Sequence, residues 1–319
     1  MRIAIIGPGV APIPPTGWGA VEILVHGLRC ALEDYGHEVH IINTPDKQQI
    51  ISQTNAVNAD VVHIHYENHI DVAPFLTCPH VIATAHNAYL DQPQRWVNDR
   101  EYSTIVRQFA STEVNVFALS QPAADAFLFA GVEPDKVRVV YNGTSGENFR
   151  FSEDCKYPNM SLYLAKIDFR KRQHLFQGIP RLFFAGNIAD DRFDQSVNYL
   201  GEWSKKELHE NLTKFANLVL LSDGECHSLA LLEGMSAGLG LVISEFACSN
   251  LDLSMPFIDV VPESKIHDKE YIAQVINKNA EVAVKMRTEI KEYSKKFLWK
   301  NVVRDVYLPA VNKILITGG

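Results

Sequence analysis

The chain has 319 residues, of which 46% are hydrophobic and 10% aromatic, so it is long enough for two globular domains of about 150 residues each. Its formal net charge of −8 gives no general reason to expect a nucleic-acid partner. No apolar run approaches the roughly 20 residues that span a bilayer, and the N-terminal apolar stretch is too short for a secretory signal, so we expect a cytoplasmic protein.

The first half of the chain alternates predicted strands and helices. Residues 2–7 form a continuous apolar run closed by glycine, which is typical of a parallel strand buried on both faces. Apolar residues at helical spacing follow in residues 20–36, and Gly36 is placed to end that helix. Further strands are predicted in HEVHII, ADVVHIHY, HVIATAH, NVFALS and KVRVVYNG, with helices in residues 100–111 and 121–131. This alternation of strands and helices predicts a doubly wound, mostly parallel sheet.

Residues 144–160 are polar and rich in turn formers, and they form the predicted linker. Beyond them strands are predicted in SLYLAK, RLFFAG, VNYLG, LVLLSD and GLVISE, with helices in SKKELHENLTKFA and SLALLEGMSAG and mostly helix from about Lys269. We therefore predict an α/β protein of two Rossmann-like domains, residues 1–150 and 151–296. Their ligand site is expected in the cleft between them, at the carboxyl ends of the strands.

Two candidate ligand contacts lie at predicted strand ends in the first half. Gly17 and Gly19 lie in a loop before the first helix, where backbone N–H groups can approach an anion; the alternative is a tight turn with no ligand. His86 ends a strand in TAHN and is placed to hydrogen-bond a ligand hydroxyl, with a purely structural role as the alternative.

A metal site is not predicted. His63 and His65 share one face of a strand and His69 lies nearby, but no Asp, Glu or Cys stands at a convincing ligand spacing. The five cysteines are scattered and never in C-x-x-C spacing, which argues against both a disulfide framework and structural zinc.

A basic segment follows the first strand of the second half. Lys166, Arg170, Lys171 and Arg172 lie within seven residues just past that strand. Four cations at a strand end are suited to binding a diphosphate. The alternative is a solvated basic turn.

Two acids flank a predicted helix in DGECHSLALLEGMSAG. Glu225 falls in the loop after a strand, Ser228 is a plausible N-cap, and Glu233 lies about one and a half turns into the helix. The free N–H groups at Ser228 and Leu229 are placed to hold a phosphate or a sugar oxygen. An acid before a helix start is also stabilised by the helix dipole, and Glu233 could be merely solvated. Its apolar neighbours make an unpaired carboxylate costly, which favours a ligand partner.

These four groups, in this order, resemble glycosyltransferase family 4, whose members are retaining enzymes of the GT-B fold. The resemblance covers nearly the whole chain, and its most specific part is the E-x7-E spacing of Glu225 and Glu233. It implies two Rossmann-like domains that face a cleft. It also implies that residues 297–319 form a helix that packs back on the N-terminal domain.

The resemblance implies a role for each matching residue. Glu225 corresponds to the glutamate near the donor sugar, Glu233 to the one that binds the ribose hydroxyls, and His86 to a histidine that contacts the transferred sugar. Lys166 and Lys171 match an Arg and a Lys that bind the donor diphosphate. We therefore expect His86, Glu225 and Lys171 to be catalytic, and we expect a diphosphate site made of Gly17, Gly19, Lys166, Lys171, Ser228 and Leu229.

Three positions depart from the family pattern. Lys166 replaces the usual arginine, Arg172 replaces a glycine, and Gly240 replaces a proline. Charge at the predicted diphosphate site is kept, although a lysine cannot bind bidentately as an arginine does.

The resemblance implies a retaining, metal-independent hexosyltransferase whose donor is a UDP-, GDP- or ADP-sugar. The expected acceptor is a hydroxyl of a glycan, a lipid-linked molecule or a small molecule, with weak peripheral membrane contact in the lipid-linked case. No cofactor is expected beyond the donor itself. The alternatives are another GT-B nucleotide-sugar enzyme, such as a 2-epimerase that requires no acceptor, and a catalytically idle sugar- or partner-binding module.

Overall fold

The computed structural model describes residues 1–17, 19–96 and 100–317. The chain divides into two compact units: unit 1 comprises Met1–Gly143 with Trp299–Gly319, and unit 2 comprises Thr144–Leu298. The boundaries expected from the sequence were residues 150 and 296. Thr144 falls in unit 2 because its N–H donates to the Phe297 carbonyl at 2.8 Å and because it forms a parallel bridge with Leu298.

Unit 1 is built on a six-stranded sheet in the order β2-β1-β3-β4-β5-β6, and all neighbouring strands pair in parallel. The strands are β1 (Arg2–Ile6), β2 (Glu38–Ile42), β3 (Val61–Ile64), β4 (Val81–Ala83), β5 (Asn115–Ala118) and β6 (Val137–Val139). The helices are α1 (Ala20–Asp34), α2 (Lys47–Val57), α3 (Pro93–Trp96), α4 (Arg100–Ser111) and α5 (Gln121–Phe129). The strand order reverses between β1 and β3, so the loops that follow these strands lie where doubly wound sheets bind ligands.

Unit 2 is built on a five-stranded parallel sheet in the order β11-β10-β9-β7-β8. The strands are β7 (Tyr157–Leu164), β8 (Leu182–Ala185), β9 (Phe215–Leu220), β10 (Gly240–Ser244) and β11 (Ile258–Val261). The helices are α6 (Gln173–Phe176), α7 (Lys205–Asn211), α8 (Leu229–Ser236), α9 (Lys269–Ala283) and α10 (Arg287–Ser294). With unit 1, this confirms the predicted α/β fold of two parallel sheets.

Two predictions for unit 2 are wrong in detail. The segment VNYLG is not a strand: Tyr199 forms only an isolated bridge with Phe184, because Asn198 and Gly201 adopt left-handed conformations with φ of +52° and +88°. The predicted linker also extends too far, since β7 begins at Tyr157 with an irregular register against β9 before the apolar run starts.

The C-terminal segment that clusters with unit 1 consists of α11 (Trp299–Val302), a π-helical turn (Val303–Tyr307) and α12 (Leu308–Thr317). The Trp299 ring packs on Gly27 of α1 and on Gly143, and a Cβ atom at either glycine would overlap it. The two glycines thus allow a large aromatic ring to fix this segment against α1. Nowhere in residues 1–17, 19–96 and 100–317 is there a helix long and apolar enough to cross a bilayer.

The largest fully buried side chain among the described residues is charged. Arg287, at the start of α10, is 2% exposed. Its guanidinium donates five hydrogen bonds, to the Ser152, Thr213, Phe215 and Ala237 carbonyls and to the Thr213 hydroxyl, at 2.5–3.2 Å. One arginine therefore ties α10 to the residues before β9 and to the end of α8.

Candidate active site

Two loops at the carboxyl edge of the unit 2 sheet carry most of the predicted donor site, one after β7 and the other after β9. The Tyr163 hydroxyl joins them, because it donates to the Lys171 carbonyl at 2.5 Å and accepts the Leu221 N–H at 2.9 Å. The Asp223 N–H also donates to the Arg170 carbonyl at 2.8 Å. These hydrogen bonds hold the basic segment beside the first glutamate of the E-x7-E pair.

Glu225 is the centre of this arrangement and is 7% exposed. Arg170 Nη1 donates to Glu225 Oε1 at 2.8 Å and to the Gly224 carbonyl at 2.7 Å. Lys171 Nζ forms an ion pair with the same carboxylate oxygen. Two cations therefore converge on one buried carboxylate, a few residues before the start of α8.

The charged groups of this cluster change one another's pKa values. Burial alone raises the pKa of Glu225, but the positive charges of Lys171 and Arg170 outweigh it, and the net pKa lies below that of an ordinary glutamate. Burial lowers the pKa of Lys171, and the Glu225 charge opposes that shift. We conclude that Glu225 is ionised at neutral pH and that Lys171 is held as its buried counter-ion.

The start of α8 carries no side-chain cap. Ser228 occupies the N-cap position, as predicted, but its hydroxyl makes no capping hydrogen bond, and Leu229 is the first helical residue. Backbone N–H groups at the start of a helix bind anions when no side chain occupies them. No capping side chain competes with the predicted phosphate contacts at Ser228 and Leu229, which stay a prediction.

Replacement of Ser228 by alanine should change the free energy of unfolding by less than about 0.5 kcal/mol, because no capping hydrogen bond is lost. Ser204 provides a matched control, since it caps α7 in a full capping box with Glu207. Ser204→Ala should cost about 1 kcal/mol. Urea denaturation of both variants makes the comparison, and an equal loss would show that Ser228 does cap α8.

Glu233 lies in the second turn of α8, and its side chain is half-buried. Desolvation raises the pKa of its carboxyl to about 8. No hydrogen bond or ion pair to the Glu233 carboxylate is found within the described parts of the chain, although its backbone carbonyl accepts the Ala237 N–H at 3.0 Å. An acid that is desolvated without a cation partner is a typical feature of a ligand site.

The two lysines predicted to bind the diphosphate differ in surroundings. Lys171 is buried in the Glu225 cluster, whereas Lys166 is exposed, and its ammonium contacts no acid among the residues described. The Lys166 carbonyl accepts a hydrogen bond from Gln173 at 2.9 Å, which fixes the backbone before α6. The backbone of Lys166 is thus held in place, while its side chain is exposed to solvent.

Arg172 does not join the cationic cluster as the sequence suggested. Its guanidinium donates to the Leu221 and Ser222 carbonyls at 3.0 and 3.1 Å, and it binds Glu263 bidentately at 2.6 and 3.2 Å. Its φ of +57° lies in the left-handed region, which explains why the family pattern has a glycine here. The hydrogen bonds of the guanidinium offset the strain of this backbone conformation, so Arg172 connects the two loops and the segment after β11.

The glycine loop of unit 1 is described except for Trp18, which lies outside the described residues. Gly19 is the N-cap residue of α1 with extended backbone, and a Cβ atom there would come within 2.6 Å of Glu22 Oε2. Glu22 is buried in the first turn of α1. Among the described residues other than its chain neighbours, none comes within 4 Å of a Cβ atom placed at Gly17, so their packing does not require glycine there. Anion binding by this loop stays a prediction.

His86 lies in the loop after β4 and is half-buried. Its Nε2 atom is 3.2 Å from Nδ1 of His65, directly after β3, and its backbone N–H donates to Glu67 at 3.3 Å. His69 instead contacts the Pro8 carbonyl at 3.2 Å. Among the described residues, no group of three or more His, Cys, Asp and Glu side chains could hold a metal ion. The histidines thus bond to one another and to oxygen acceptors.

Sequence reasoning missed two parts of the site. Arg170 lies in the predicted basic segment, but the sequence does not predict its direct contact with Glu225, for which its position next to Lys171 is the available signal. His63 and His65 were recognised as sharing a face, yet their connection to His86 depends on the pairing of β3 with β4.

Comparisons with known proteins agree with the predicted resemblance. Residues 48–147 match the family model described as Glycosyltransferase Family 4. Among curated protein sequences, none matches the chain significantly.

Solved structures share the fold over almost the whole chain. Anabaena Alr3699/HepE in complex with UDP and glucose has a TM-score of 0.71 at 12% identity, covering 98% of this chain and 100% of that one. The sucrose-phosphate synthase from Thermosynechococcus elongatus has a TM-score of 0.74 at 15% identity and covers 100% of both chains. The lipopolysaccharide outer core galactosyltransferase WaaB has a TM-score of 0.67 at 17% identity, covering 99% of both. The family match and the shared fold confirm the resemblance: the chain has the GT-B fold, and its residues 48–147 carry the sequence pattern of glycosyltransferase family 4.

Proposed function

We propose that this protein is a retaining glycosyltransferase that moves a hexosyl group from a nucleoside-diphosphate sugar to a hydroxyl acceptor without a metal ion. The observation that carries this proposal is the buried cluster of Glu225, Lys171 and Arg170 a few residues before the uncapped start of α8. It combines cations for a diphosphate, an acceptor for sugar hydroxyls and free helix N–H groups in one short segment. The match to Glycosyltransferase Family 4 supports the same activity.

The proposed chemistry follows from where charge develops. As the bond from the anomeric carbon to the diphosphate oxygen breaks, negative charge grows on the leaving group. Lys171, Lys166 and the N–H groups at Leu229 stabilise it, in place of a metal ion. The acceptor oxygen bonds to the same face of the anomeric carbon, and its proton passes to the departing phosphate oxygen. Glu225, ionised in the free protein, accepts hydrogen bonds from hydroxyls of the donor sugar.

The roles proposed for His86, Gly17, Gly19 and Glu233 come from the family resemblance. By the family resemblance, His86 contacts the transferred sugar, and the loop amides at Gly17 and Gly19 contact the phosphate. Glu233 accepts hydrogen bonds from the ribose hydroxyls. UDP-glucose is the first donor to test, because the structurally similar Anabaena protein forms a complex with UDP and glucose.

Binding of UDP-glucose should strengthen as the pH rises from 6 to 8. The Glu233 carboxyl has a pKa of about 8, so at pH 6 it carries a proton in the free protein. A ribose that donates hydrogen bonds favours the ionised carboxylate, so binding lowers this pKa and releases the proton. The affinity should therefore increase by up to about tenfold per pH unit and level off above about pH 8. Titration calorimetry in buffers of different ionisation enthalpy measures both the affinity and the released proton.

The sugar nucleotide is the proper ligand for this titration, because both phosphates of its diphosphate are esterified and have no second ionisation near neutral pH. Glu233→Gln is the control: it should bind UDP-glucose more weakly and lose the pH dependence. Binding that is independent of pH in the wild type, with no proton released, would refute the assignment of Glu233 to the ribose.

The same assays separate the alternatives. Release of UDP only when an acceptor is present indicates glycosyl transfer, whereas conversion of a UDP-sugar without any acceptor indicates an epimerase. A protein that binds no nucleotide sugar at all would be an idle module.

A further inference from the structure

A chain of five hydrogen-bonded groups runs through the interior of unit 1. His65, directly after β3, contacts two other histidines. Its Nδ1 atom is 3.2 Å from His86 Nε2, and its Nε2 atom is 3.1 Å from His63 Nδ1. His63 Nδ1 is also 3.1 Å from the Tyr307 hydroxyl, and its Nε2 is 2.9 Å from the hydroxyl of Thr84. His63, His65, Thr84 and Tyr307 are all less than 5% exposed. His86 is only half-buried and forms the outer end of the chain.

The backbone holds each member in place. His63 on β3 and His65 directly after it are two residues apart in extended chain and therefore lie on the same side of the sheet, with their ring centroids 3.9 Å apart. Thr84 and His86 follow the neighbouring strand β4. Tyr307 is the last residue of the π-helical turn in the C-terminal segment. Turns of this kind are rare and occur frequently at functional sites.

The set of contacts restricts which ring nitrogen carries each proton. A neutral imidazole has one N–H donor and one acceptor nitrogen, so each His–His contact needs one of each. If His63 carries its proton on Nδ1, that N–H is shared between His65 Nε2 and the Tyr307 oxygen, and the Thr84 hydroxyl donates to His63 Nε2. If the proton is on Nε2, the single lone pair of Nδ1 has to accept two donors. The first arrangement gives each acceptor nitrogen a single donor and is favoured on that ground, because one in-plane lone pair accepts only one good hydrogen bond. In it the Tyr307 oxygen accepts from His63, and the proton of this hydroxyl points away from the ring.

The first arrangement determines the state of every ring along the chain. Because His65 Nε2 accepts from His63, the His65 proton resides on Nδ1 and is donated to His86 Nε2. The remaining proton of His86 therefore resides on its Nδ1 atom. No hydrogen-bond partner of this atom is found in residues 1–17, 19–96 and 100–317, so it is available as a donor.

Burial keeps the three rings uncharged. It lowers the pKa of His63 to about 3 and that of His86 to about 4, and it lowers the pKa of His65 well below its usual value. Thr84 and Tyr307 remain neutral, since burial raises the pKa of the tyrosine hydroxyl. The acid close to the outer ring is Glu67, which accepts the backbone N–H of His86. Between pH 6 and 8 the chain is thus a set of directed neutral hydrogen bonds.

We propose that His63, His65, Thr84 and Tyr307 are positioning residues that fix His86 as a neutral donor, with its Nδ1–H directed to an oxygen atom of the bound sugar nucleotide. The identity of that ligand rests on the proposed function, while the tautomer of His86 does not. In this role His86 recognises an oxygen without adding a positive charge, so its contribution is independent of pH between 6 and 8.

The tautomer is measured directly by NMR of protein with ¹⁵N-labelled histidine, with the His86 signals assigned by their loss in His86→Gln. We expect a protonated Nδ1 and an unprotonated Nε2 for His86 at both pH 6 and pH 8. In His65→Ala the donor to His86 Nε2 is lost, and the proton should move to Nε2, as free histidine prefers. A proton on Nε2 in the wild-type protein, or an imidazolium at pH 6, would overturn the proposal.

A second experiment compares kcat/KM for transfer from UDP-glucose between the wild type and histidine variants. We expect a loss of about 10- to 100-fold in His65→Ala, by analogy with the effect of removing residues that orient a metal-ligating histidine. His65→Asn keeps an amide N–H near the position of Nδ1 and should recover part of the activity. The control is His40→Asn, at an exposed histidine of β2, which should leave kcat/KM unchanged. Unchanged kcat/KM in His65→Ala together with a shifted tautomer would refute the positioning role.

The two proposals fail in different ways. If the protein binds no nucleotide sugar, the proposed function fails, and the NMR spectra still decide the direction of the histidine chain. If transfer occurs but His86 carries its proton on Nε2, only the inference about the chain fails.

Discussion

Replacing Lys171 by methionine is expected to lower kcat/KM for glycosyl transfer by about 10²- to 10³-fold, which is the usual effect of removing one group that stabilises a developing negative charge. Lys171 is a buried cation of the proposed donor site, and its ammonium forms an ion pair with the Glu225 carboxylate. The sugar diphosphate would share this cation when it binds. Methionine keeps the length and the apolar stem of lysine but cannot stabilise the leaving group.

Loss of folding must be distinguished from loss of chemistry, because removal of one partner from a buried ion pair costs about 3–5 kcal/mol. Arg170 still pairs with Glu225 at 2.8 Å, so we expect a smaller cost of about 1–3 kcal/mol for Lys171→Met. The double variant Lys171→Met with Glu225→Gln no longer buries the carboxylate, and it should regain stability without regaining activity. Lys285→Met, at an exposed lysine of the same unit, is the control and should affect neither property.

Steady-state kinetics with UDP-glucose and urea denaturation of the four proteins make this comparison. A Lys171→Met protein with full kcat/KM would exclude Lys171 from the site. Recovery of transfer in the double variant would show that the lysine acts only through the stability of the fold.

The largest effect on stability is expected at Arg287. Arg287→Met should lower the free energy of unfolding of unit 2 by about 3–5 kcal/mol, because it removes a buried hydrogen-bond network and leaves carbonyl groups without donors. The methionine fills much of the same volume, so the loss reports hydrogen bonding more than packing. Arg287 also holds Ala237, at the end of α8, and thus the helix that carries Glu233.

Two further variants separate the contribution of the guanidinium hydrogen bonds to stability from that of the positive charge alone. Arg287→Lys keeps the charge but cannot reach carbonyls in several directions, so it should retain little of the lost stability. Lys285→Met, two residues away, should change the free energy of unfolding by less than about 0.5 kcal/mol. Urea denaturation followed by circular dichroism gives these values. A stable Arg287→Met protein would mean that water replaces the guanidinium hydrogen bonds without loss.

The sequence predicts the parallel strands well where apolar runs are continuous, as in β1, β3 and β9, because burial on both faces leaves an unmistakable pattern. It fails at residues 197–201, where the apolar side chains suggest a strand but Asn198 and Gly201 turn the backbone away. It also fails at the start of β7, whose polar residues resemble a linker.

The site was predictable in its members and less so in their partners. The E-x7-E spacing located Glu225 and Glu233, and the basic segment located Lys171. The bidentate partner of Arg172 is Glu263, 91 residues away, and the tyrosine that contacts His63 is 244 residues away. Such contacts depend on which strands and helices become neighbours, and local sequence patterns do not encode that.

Direct binding of nucleotide sugars tests the central claim, that the Glu225 cluster and Glu233 hold a sugar nucleotide. Titration calorimetry of the wild type, Lys171→Met and Glu233→Gln with UDP-, GDP- and ADP-glucose is the measurement. We expect at least one of these donors to bind the wild type, and both variants to bind it about tenfold more weakly or worse, since each loses a charge-assisted hydrogen bond to the ligand. Binding of no nucleotide sugar to the wild type, or equal affinity in all three proteins, would contradict it.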